Sequence, residues 1–289
     1  MKDLLLQNEA ELTSLVYFWI FILAVALEQY WPKRTIEAPL RGRWLANAGM
    51  WGINGICAWL LIPVAGTGLA IICRQQGWGL FNNVTVPAWL TILVSLLALD
   101  FVRFLQHAML HRVPMLWRFH RSHHTDKSVD FSTTWRFHPF EMVYTTAAYF
   151  ITLMLFGIPA YVIVMNTLIT HFSGFFTHSN IAIPEPVDRV LRAAFVTPDM
   201  HRVHHSAETR EMGSNFGNLL SIWDRLFGTY VAQPRKGHSG MQLGLSEYQD
   251  PKYGTLPWML WMPFAPLTKT VEEVQETTGE YLSKKDAAR

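Results

Sequence analysis

The segment from Met142 to Thr177 contains no Asp, Glu, Lys or Arg. As one helix it would be ~54 Å long at ~1.5 Å per residue, far more than the ~30 Å hydrocarbon core of a bilayer. The sequence Gly157-Ile158-Pro159 interrupts the segment and predicts a turn. We therefore expect a helical hairpin over residues 142–177 that enters the membrane and returns to the same side.

Three further apolar segments are long enough to span a membrane. The chain is 50% hydrophobic and only 16% charged, whereas a soluble domain carries about 25% charged residues. The expected spans cover residues 12–30, 44–73 and 87–106. The second is longer than a straight crossing requires, and Pro63 predicts a kink or a tilt in it. The sequence thus predicts an all-α fold, an integral membrane helical bundle in which residues 1–289 form a single membrane domain.

Basic residues mark the loops that we expect on the cytoplasmic side. The first span is followed by Lys33, Arg34, Arg41 and Arg43. The loop from Arg112 to Glu141 contains five more Lys or Arg residues, counting Arg112 itself. The positive-inside rule places both loops in the cytoplasm. Because the hairpin returns to that side, residues of about 107–141 and 178–230 can form one cytoplasmic cap. The net charge of +2 gives no reason to expect a nucleic-acid partner.

Eleven of the twelve histidines lie between His107 and His205, within or next to this cap. They form one HxxxH pattern and two HxxHH patterns: His107 and His111; His120, His123 and His124; His201, His204 and His205. Residues three or four apart share a helix face, so each pattern can direct its imidazoles at a common point. Imidazole is a usual ligand of transition metals, whereas calcium and magnesium prefer oxygen.

The number of histidines favours two metal ions over one. A tetrahedral zinc ion takes four ligands, and these patterns supply eight. One HxxxH alone is more often a solvated or packed helix face, but three spaced patterns in one chain favour a metal site. Asp100 precedes the first pattern and could either orient a ligand imidazole or pair with Arg103.

A metal site at the edge of a membrane bundle is well placed to act on a lipid whose tail stays in the bilayer. Non-haem iron activates O2 for attack on unactivated C–H bonds. A metal transporter or a zinc-dependent membrane hydrolase is the alternative from another class. A transporter should hold its ligands near the bilayer midplane, and the HExxH pattern of many zinc hydrolases is absent.

At these residues the chain resembles the fatty acid hydroxylase and sterol desaturase superfamily, over roughly residues 100–230. Besides the three patterns, the resemblance includes Phe137-His138-Pro139, His178, Asn215 and the WDRLFGT sequence at residues 223–229. It implies a di-iron oxygenase that uses O2 and takes electrons from a separate electron-transfer protein and reductase. The implied substrate is a membrane lipid, such as a sterol, a fatty acyl chain or an ether lipid. Hydroxylation of an aliphatic C–H bond and desaturation remain alternatives, and zinc can replace iron in purified protein.

The resemblance also implies the metal ligands, and no catalytic residue beyond them. These are His107, His111, His120, His123, His124, His138, His178, His201, His204 and His205. His138 is the tenth candidate, and the alternative is that it closes a turn before Pro139. Where some members have a histidine four residues before His178, this chain has Gly174. His171 lies seven residues before His178, ~10.5 Å along a helix, and is expected to be a polar or packing residue.

Two expectations concern the end of the chain. Residues 255–266 (TLPWMLWMPFAP) are too short to span a membrane. They could form an interfacial foot, or a plug against the body of the fold. The third and fourth positions from the C-terminus lack the lysine pair of an endoplasmic reticulum retrieval signal, which favours a bacterial cytoplasmic membrane.

Overall fold

A computed structural model describes residues 6–36 and 40–266, which form helices and no β-strand. The α-helices are α1 (Glu9–Tyr30), α2 (Leu40–Leu61), α3 (Gly66–Gln76), α4 (Leu80–Asn83), α5 (Ala88–Arg112), α6 (Pro114–His124), α7 (Pro139–Phe156), α8 (Ala160–His178), α9 (Glu185–Leu191), α10 (Pro198–His204), α11 (Thr209–Met212), α12 (Ile222–Leu226), α13 (Gly237–Gly240) and α14 (Leu256–Trp261). Short 3-10 helices cover Phe131–Trp135, Pro251–Gly254 and Met262–Phe264. The all-α prediction is therefore confirmed.

Five segments of the described chain are long and apolar enough to cross a membrane. They are Glu9–Tyr30, Arg41–Asn83, Ala88–Arg112, Pro139–Phe156 and Ala160–His178. The protein is an integral membrane helical bundle. The last two segments are α7 and α8, joined at the Gly157–Pro159 turn where the hairpin was expected. Gly157 ends α7 in the left-handed region, at φ 62°, which glycine adopts without steric cost.

The main apolar core lies towards the turn of this hairpin. Leu99 of α5, Leu153 of α7 and Val162 of α8 are almost completely buried there. Cys73 of α3 is also fully buried in this core. The opposite end of the bundle carries the histidines, because α5 and α8 end there and α7 begins there. The core thus fixes the helices that carry the histidines to the site.

The expected span over residues 44–73 is not one kinked helix. It divides into α2 and α3, separated by residues 62–65, because Pro63 cannot continue the α2 hydrogen-bond pattern. Part of α2 contacts the cap: Asn47 donates to Ser132 Oγ at 2.9 Å, and Asn54 to the Phe137 carbonyl oxygen at 2.7 Å. Hydropathy alone could not distinguish this arrangement from one tilted crossing, since both are apolar throughout.

Residues 255–266 pack against the body of the fold and leave an aromatic edge exposed. Met259 on α14 is fully buried against Met50 of α2. Trp261 and Phe264 are more than half exposed. The inner side of this segment therefore forms the expected plug, and its outer side exposes aromatic residues, so the interfacial foot stays a prediction. The charged residues beyond position 266 lie outside the described part of the chain.

The close approach of Gly79 to the hairpin turn is testable. A Cβ on Gly79 would lie 2.1 Å from the Gly157 nitrogen, and Gly79 has φ 89°. Gly77 has φ 68°, but no atom lies within 4 Å of its Cβ position. We expect Gly77→Ala to cost about 1–2 kcal/mol from backbone strain alone. Gly79→Ala should cost more because a steric clash is added.

Thermal unfolding in detergent, followed by the loss of the monodisperse peak in size-exclusion chromatography, measures this difference. Gly79→Ala should have the lower melting temperature of the two variants. Equal melting temperatures would contradict the close contact between Gly79 and the hairpin turn.

Candidate metal centre

Nine histidines converge into two groups at the cap end of the bundle. The first group contains His107, His111, His120, His124 and His204; the second contains His123, His178, His201 and His205. Within each group the candidate ligand nitrogens all lie within 4.8 Å of one another. Seven of the nine side chains are buried, and His107 and His111 are half-buried. The three patterns and His178 therefore meet on one side of the bundle.

Each HxxHH pattern contributes to both groups. On α6, His120 and His124 are four residues apart and face the first group, whereas His123 faces the second. Successive residues of a helix are rotated by about 100° about its axis, so the side chains of His123 and His124 point in different directions. The second pattern has the opposite assignment: His201 and His205 belong to the second group and His204 to the first. The two HxxHH patterns thus hold the groups side by side.

The nitrogen–nitrogen distances suit metal coordination. The Nε2 atom of His178 lies 3.2 Å from that of His123 and 3.0 Å from that of His201. The Nε2 atoms of His120 and His124 are 3.2 Å apart. Nitrogens bound at about 2.0–2.1 Å to one ion, at right angles, would be about 3 Å apart. This spacing fits ligands that surround a common ion.

Several of these nitrogens have no hydrogen-bond partner within the described part of the chain. The Nε2 atoms of His107, His111 and His204 are buried and unpaired. A buried polar atom without a partner costs free energy, and a metal ion bound to the free lone pair removes that cost. The donor set, which is entirely imidazole, fits a transition metal.

Hydrogen bonds donated by Nδ1 fix the orientation of four rings, which belong to His107, His204, His120 and His178. The Nδ1 atom of His107 lies 3.0 Å from the Phe216 carbonyl oxygen, and that of His204 lies 2.7 Å from the Ser214 carbonyl oxygen. A carbonyl oxygen only accepts, so these Nδ1 atoms carry the proton and Nε2 presents a lone pair. His120 makes the equivalent contact with Glu141 Oε1 at 2.8 Å.

His178 is oriented by the backbone of Gly174, four residues earlier on α8. The His178 Nδ1 atom lies 2.9 Å from the Gly174 carbonyl oxygen. A Cβ at position 174 would lie 2.8 Å from Thr134 Oγ1, so a larger residue would press against this side chain of the Phe131–Trp135 turn. His171, one of the two further histidines of this region, contacts the ring of Tyr17 at 4.9 Å and joins neither group.

His138 also lies in neither group. Its Nδ1 atom accepts from the Phe140 backbone N–H at 3.3 Å, at the start of α7, and its Nε2 atom lies 3.3 Å from the Leu260 carbonyl oxygen. Both nitrogens therefore have partners within the fold. This geometry matches the alternative in which His138 closes the turn before Pro139, and we leave it out of the ligand set proposed below.

Two aspartates hold the loop that supplies the Ser214 and Phe216 carbonyls. Asp224 accepts from the backbone N–H groups of Phe216 at 2.7 Å and Gly217 at 2.8 Å. Asp100 accepts from two further amides of this loop and from Trp223 Nε1 at 2.8 Å. Neither role expected for Asp100 is found, since it contacts neither a histidine nor Arg103 through a hydrogen bond or ion pair. The WDRLFGT sequence therefore supports the site through the loop backbone.

Asn215 shapes the same loop. It has φ 54°, in the left-handed region that asparagine tolerates better than most residues. Its side chain donates to the Met200 and Val231 carbonyls and accepts from the Val231 N–H, each at 2.9 Å. The Asn215 side chain therefore holds the loop backbone in place. The nearby Asn218 instead donates to Ser173 Oγ on α8.

Buried arginines support α6 from the opposite side. Arg136 is completely buried and donates to the Ser122 carbonyl oxygen at 2.8 Å and to Thr125 Oγ1 at 2.7 Å. Burial lowers the pKa of Arg136 to about 10, so it stays charged at neutral pH. Burial alone would raise the pKa of Asp126, but Arg43 and Arg136 keep it below its ordinary value. Sequence reasoning counted these arginines only as loop charges.

The environment of the cap keeps five of its histidines neutral. Burial, followed by the proximity of other imidazoles, lowers the pKa of five cap histidines well below the usual 6.5: His123, His124, His201, His204 and His205. The neutral ring is the form that binds metals. The site is therefore electrostatically prepared for cations.

Comparison with known proteins agrees with this geometry. Residues 92–229 match the family model described as fatty acid hydroxylase. The chain thus carries a fatty acid hydroxylase domain. All nine converging histidines lie within the matched residues of this fatty acid hydroxylase domain.

Several characterised proteins are similar to this fatty acid hydroxylase domain. An ornithine lipid hydroxylase of Rhizobium tropici is 34% identical over 150 residues, which are 52% of this chain and 44% of that protein. The alkylglycerol monooxygenase of Xenopus tropicalis is 25% identical, over 92% of this chain and 62% of its own. The human alkylglycerol monooxygenase is 28% identical, over 71% and 50%. Each match thus spans less than two thirds of the relative's length. No solved structure gives a significant match.

The Glu141–His120 contact predicts a loss of metal affinity on mutation. Glu141→Ala should weaken metal binding about 10–100-fold, because the outer partner of a ligand imidazole is removed. Glu141→Gln keeps an accepting oxygen and should lose less. Competition with a chelator measures the affinity. Glu185→Ala on α9 is the control, since its side chain is 70% exposed and pairs with Arg189. Unchanged affinity in Glu141→Ala would show that this contact does not support the site.

The neutral histidines also predict acid sensitivity of the metal-free protein. Their folded-state pKa lies below the unfolded value of about 6.5, so the unfolded state binds more protons on acidification. Stability is then complete above pH ~6.5 and falls as the pH drops towards the folded-state values. The melting temperature of chelator-treated protein should decrease steadily from about pH 7 to pH 5. A melting temperature that stays constant across this range would contradict the burial of neutral imidazoles.

Proposed function

We propose that this chain is an O2-dependent di-iron oxygenase that hydroxylates an aliphatic C–H bond of a membrane lipid. The observation that carries the proposal is the convergence of nine histidines into two adjacent groups. The proposed ligands of one ion are the five histidines of the first group, and those of the other are the four of the second. Each group has enough nitrogens for one ion, and unpaired buried nitrogens mark the first as a site for a cation.

Iron is proposed over zinc from the donor set and from the relatives. A catalytic zinc site uses three protein ligands and one open position, whereas these groups supply four and five imidazoles. The relatives are named for hydroxylation or monooxygenation, and at an all-imidazole metal site that chemistry calls for a metal that activates O2. Zinc can still occupy the site in overexpressed protein, since imidazole binds both metals.

Bound iron would supply the activation of O2, and the residues of the chain would control its surroundings. The Phe216, Ser214 and Gly174 carbonyls and the Glu141 carboxylate hold four rings in one tautomer. Burial of the second group excludes bulk water, which limits side reactions. Five of the cap histidines have a pKa well below the usual 6.5, so they can bind a metal ion without first losing a proton.

A membrane lipid is the proposed substrate class. The chain has five candidate membrane spans, and its relatives are named for ornithine lipids and alkylglycerols. A sterol, a fatty acyl chain and an ether lipid all remain within this class. The relatives' names favour hydroxylation over desaturation. Electrons would come from a separate electron-transfer protein and reductase, which the proposed reaction requires.

The position of the groups argues against the other functional classes. A transporter should hold its ligands near the bilayer midplane on interrupted helices. Here His107 and His178 lie at or near the cap ends of α5 and α8. A zinc hydrolase needs an open ligand position with a nearby base, whereas Glu141, the carboxylate beside the first group, is bonded to the His120 ring.

We also propose that the metal groups face the cytoplasm of a bacterial cell. Basic residues after α1 support this orientation. Fewer basic residues are exposed than the sequence implied, because Arg43, Arg121 and Arg136 are buried in the cap and are at most 7% exposed. Lys33 pairs with Asp199 at 2.7 Å.

Metal analysis and isotope labelling test this function together. Anaerobically purified, iron-supplied protein should contain two iron ions per chain. Lipids from cells with and without the protein, grown under labelled O2, should differ by a product that carries the label. An unlabelled product with a new double bond would favour desaturation, and metal-free active protein would refute the proposal.

Variants connect the histidine groups to the activity. His178→Ala should lose metal from the second group and abolish the labelled product, because one of four ligands is removed. His238→Gln is the matched control, since His238 lies in neither group. Retention of both metal and product in His178→Ala would exclude the proposed ligand set.

A further inference from the structure

A polar cavity lies inside the bundle, on the side of the histidine groups that faces the hairpin turn. Its volume is about 430 Å³, and residues from α1, α3, α5, α7 and α8 line it. Eleven of its sixteen lining residues are polar or charged, among them Arg103, Tyr149, Asn166 and His171. Pockets for small molecules are lined mainly by apolar side chains, with a few polar groups. This lining therefore suits the polar end of a ligand better than an alkyl chain.

Three helices connect the cavity to the proposed metal ligands. On α5, Arg103 lies one turn before His107, a rise of about 6 Å. On α7, Thr145 lies one turn after Glu141, the residue that contacts His120. On α8, His171 lies two turns before His178. The cavity thus adjoins the histidine groups from within the membrane-spanning part of the bundle.

Arg103 places a positive charge at the cavity, which is also lined by one carboxylate, that of Glu9 at the start of α1. Its Nη1 atom donates to Asn166 Oδ1 at 3.3 Å, and among the described residues no carboxylate forms an ion pair with it. Asp100, one turn away, is committed to the Trp223 loop. A charged side chain inside a membrane bundle is costly and usually pairs with another group or marks a ligand path. A bound anion would offset this cost.

The surrounding groups add hydrogen bonds for an oxygen-rich ligand. Asn166 also bonds to the Tyr149 hydroxyl, so these two side chains and Arg103 form one polar cluster. The Nδ1 atom of His171 is buried without a hydrogen-bond partner. A guanidinium presents paired N–H groups that match the oxygens of carboxylates and phosphates. The cluster has the chemistry of an oxyanion site.

We propose that this cavity binds the anionic oxygen group, a carboxylate or a phosphate, of the lipid substrate, and that Arg103 is its positioning residue. That the bound lipid is a substrate rests on the proposed function. The binding of the anionic group itself does not require turnover. The anion held by Arg103 orients the lipid so that a carbon next to the cavity reaches the histidine groups. Neutral lipids of the same chain length lack this anchor.

Competition binding tests the proposal on the full-length, iron-loaded protein in nanodiscs of phosphatidylcholine. The fluorescent probe is cis-parinaric acid, followed by energy transfer from tryptophan. The competitors are palmitate, lysophosphatidate and hexadecanol, which carry a carboxylate, a phosphate and a neutral hydroxyl. At least one anionic competitor should displace the probe at a concentration about tenfold or more below that of hexadecanol. The better anion identifies the source of the oxyanion.

Three variants assign this preference to Arg103. Arg103→Met should reduce the preference for anions to less than about threefold, and Arg103→Lys should retain part of it, because lysine keeps the charge without the planar guanidinium. Asn166→Asp keeps the arginine but supplies an internal carboxylate, so it should also remove the preference. Arg189→Met is the matched control, since Arg189 is 74% exposed on α9.

The outcomes separate this inference from the proposed function. Equal displacement by all three competitors in the unchanged protein, or full preference for anions in both Arg103→Met and Asn166→Asp, would overturn it. Iron content is measured in every variant. An anion preference lost in Asn166→Asp with iron retained supports the site even if Arg103→Met fails to fold. Anion preference in protein that binds no iron would support the cavity while refuting the di-iron function.

Discussion

The structure depends on gathering nine imidazoles at the end of a membrane bundle. Unpaired, these rings would be costly to bury, since each leaves at least one polar nitrogen without water. The fold reduces that cost in two ways. Carbonyl and carboxylate oxygens accept from Nδ1 of His107, His120, His178 and His204. The Nε2 atoms of several neighbouring rings lie 3.0–3.2 Å apart, about the spacing of metal ligands, so a bound cation would complete the arrangement.

A layer of buried charge holds the backbone around these rings. Asp100 and Asp224 fix the loop that supplies two of the accepting carbonyls. On the other side, Arg136 binds the end of α6. Asp199 pairs with Lys33 and Arg202, which joins α10 to the segment after α1. Breaking a buried pair by removing one partner is strongly destabilising, so this layer can hold the rings in place when no metal is bound.

The helices that present histidines also form the cavity below them. Since α5, α7 and α8 pass through both regions, residues one or two turns from the site face the membrane interior of the same bundle. The hairpin turn fixes these helices at the far end, where Gly79 and Gly157 come into close contact. Each of these helices packs into the apolar core near the hairpin turn and lines the polar cavity closer to the cap. One helix can therefore serve both packing and the proposed ligand binding.

The sequence alone determined the helical membrane class, the hairpin division at residues 157–159 and the histidine patterns. These features depend on local composition and on spacing along a single helix, which a sequence records directly. Tertiary structure decided the rest. Only packing could divide the two HxxHH patterns between two groups and give His138 a turn-closing role. Packing also buries Arg43 and Arg136, which the sequence shows only as charges in loops. The physical reason is that the partners of a buried polar group lie far away in sequence, such as Asp100 with Trp223. No periodicity encodes which of them will meet.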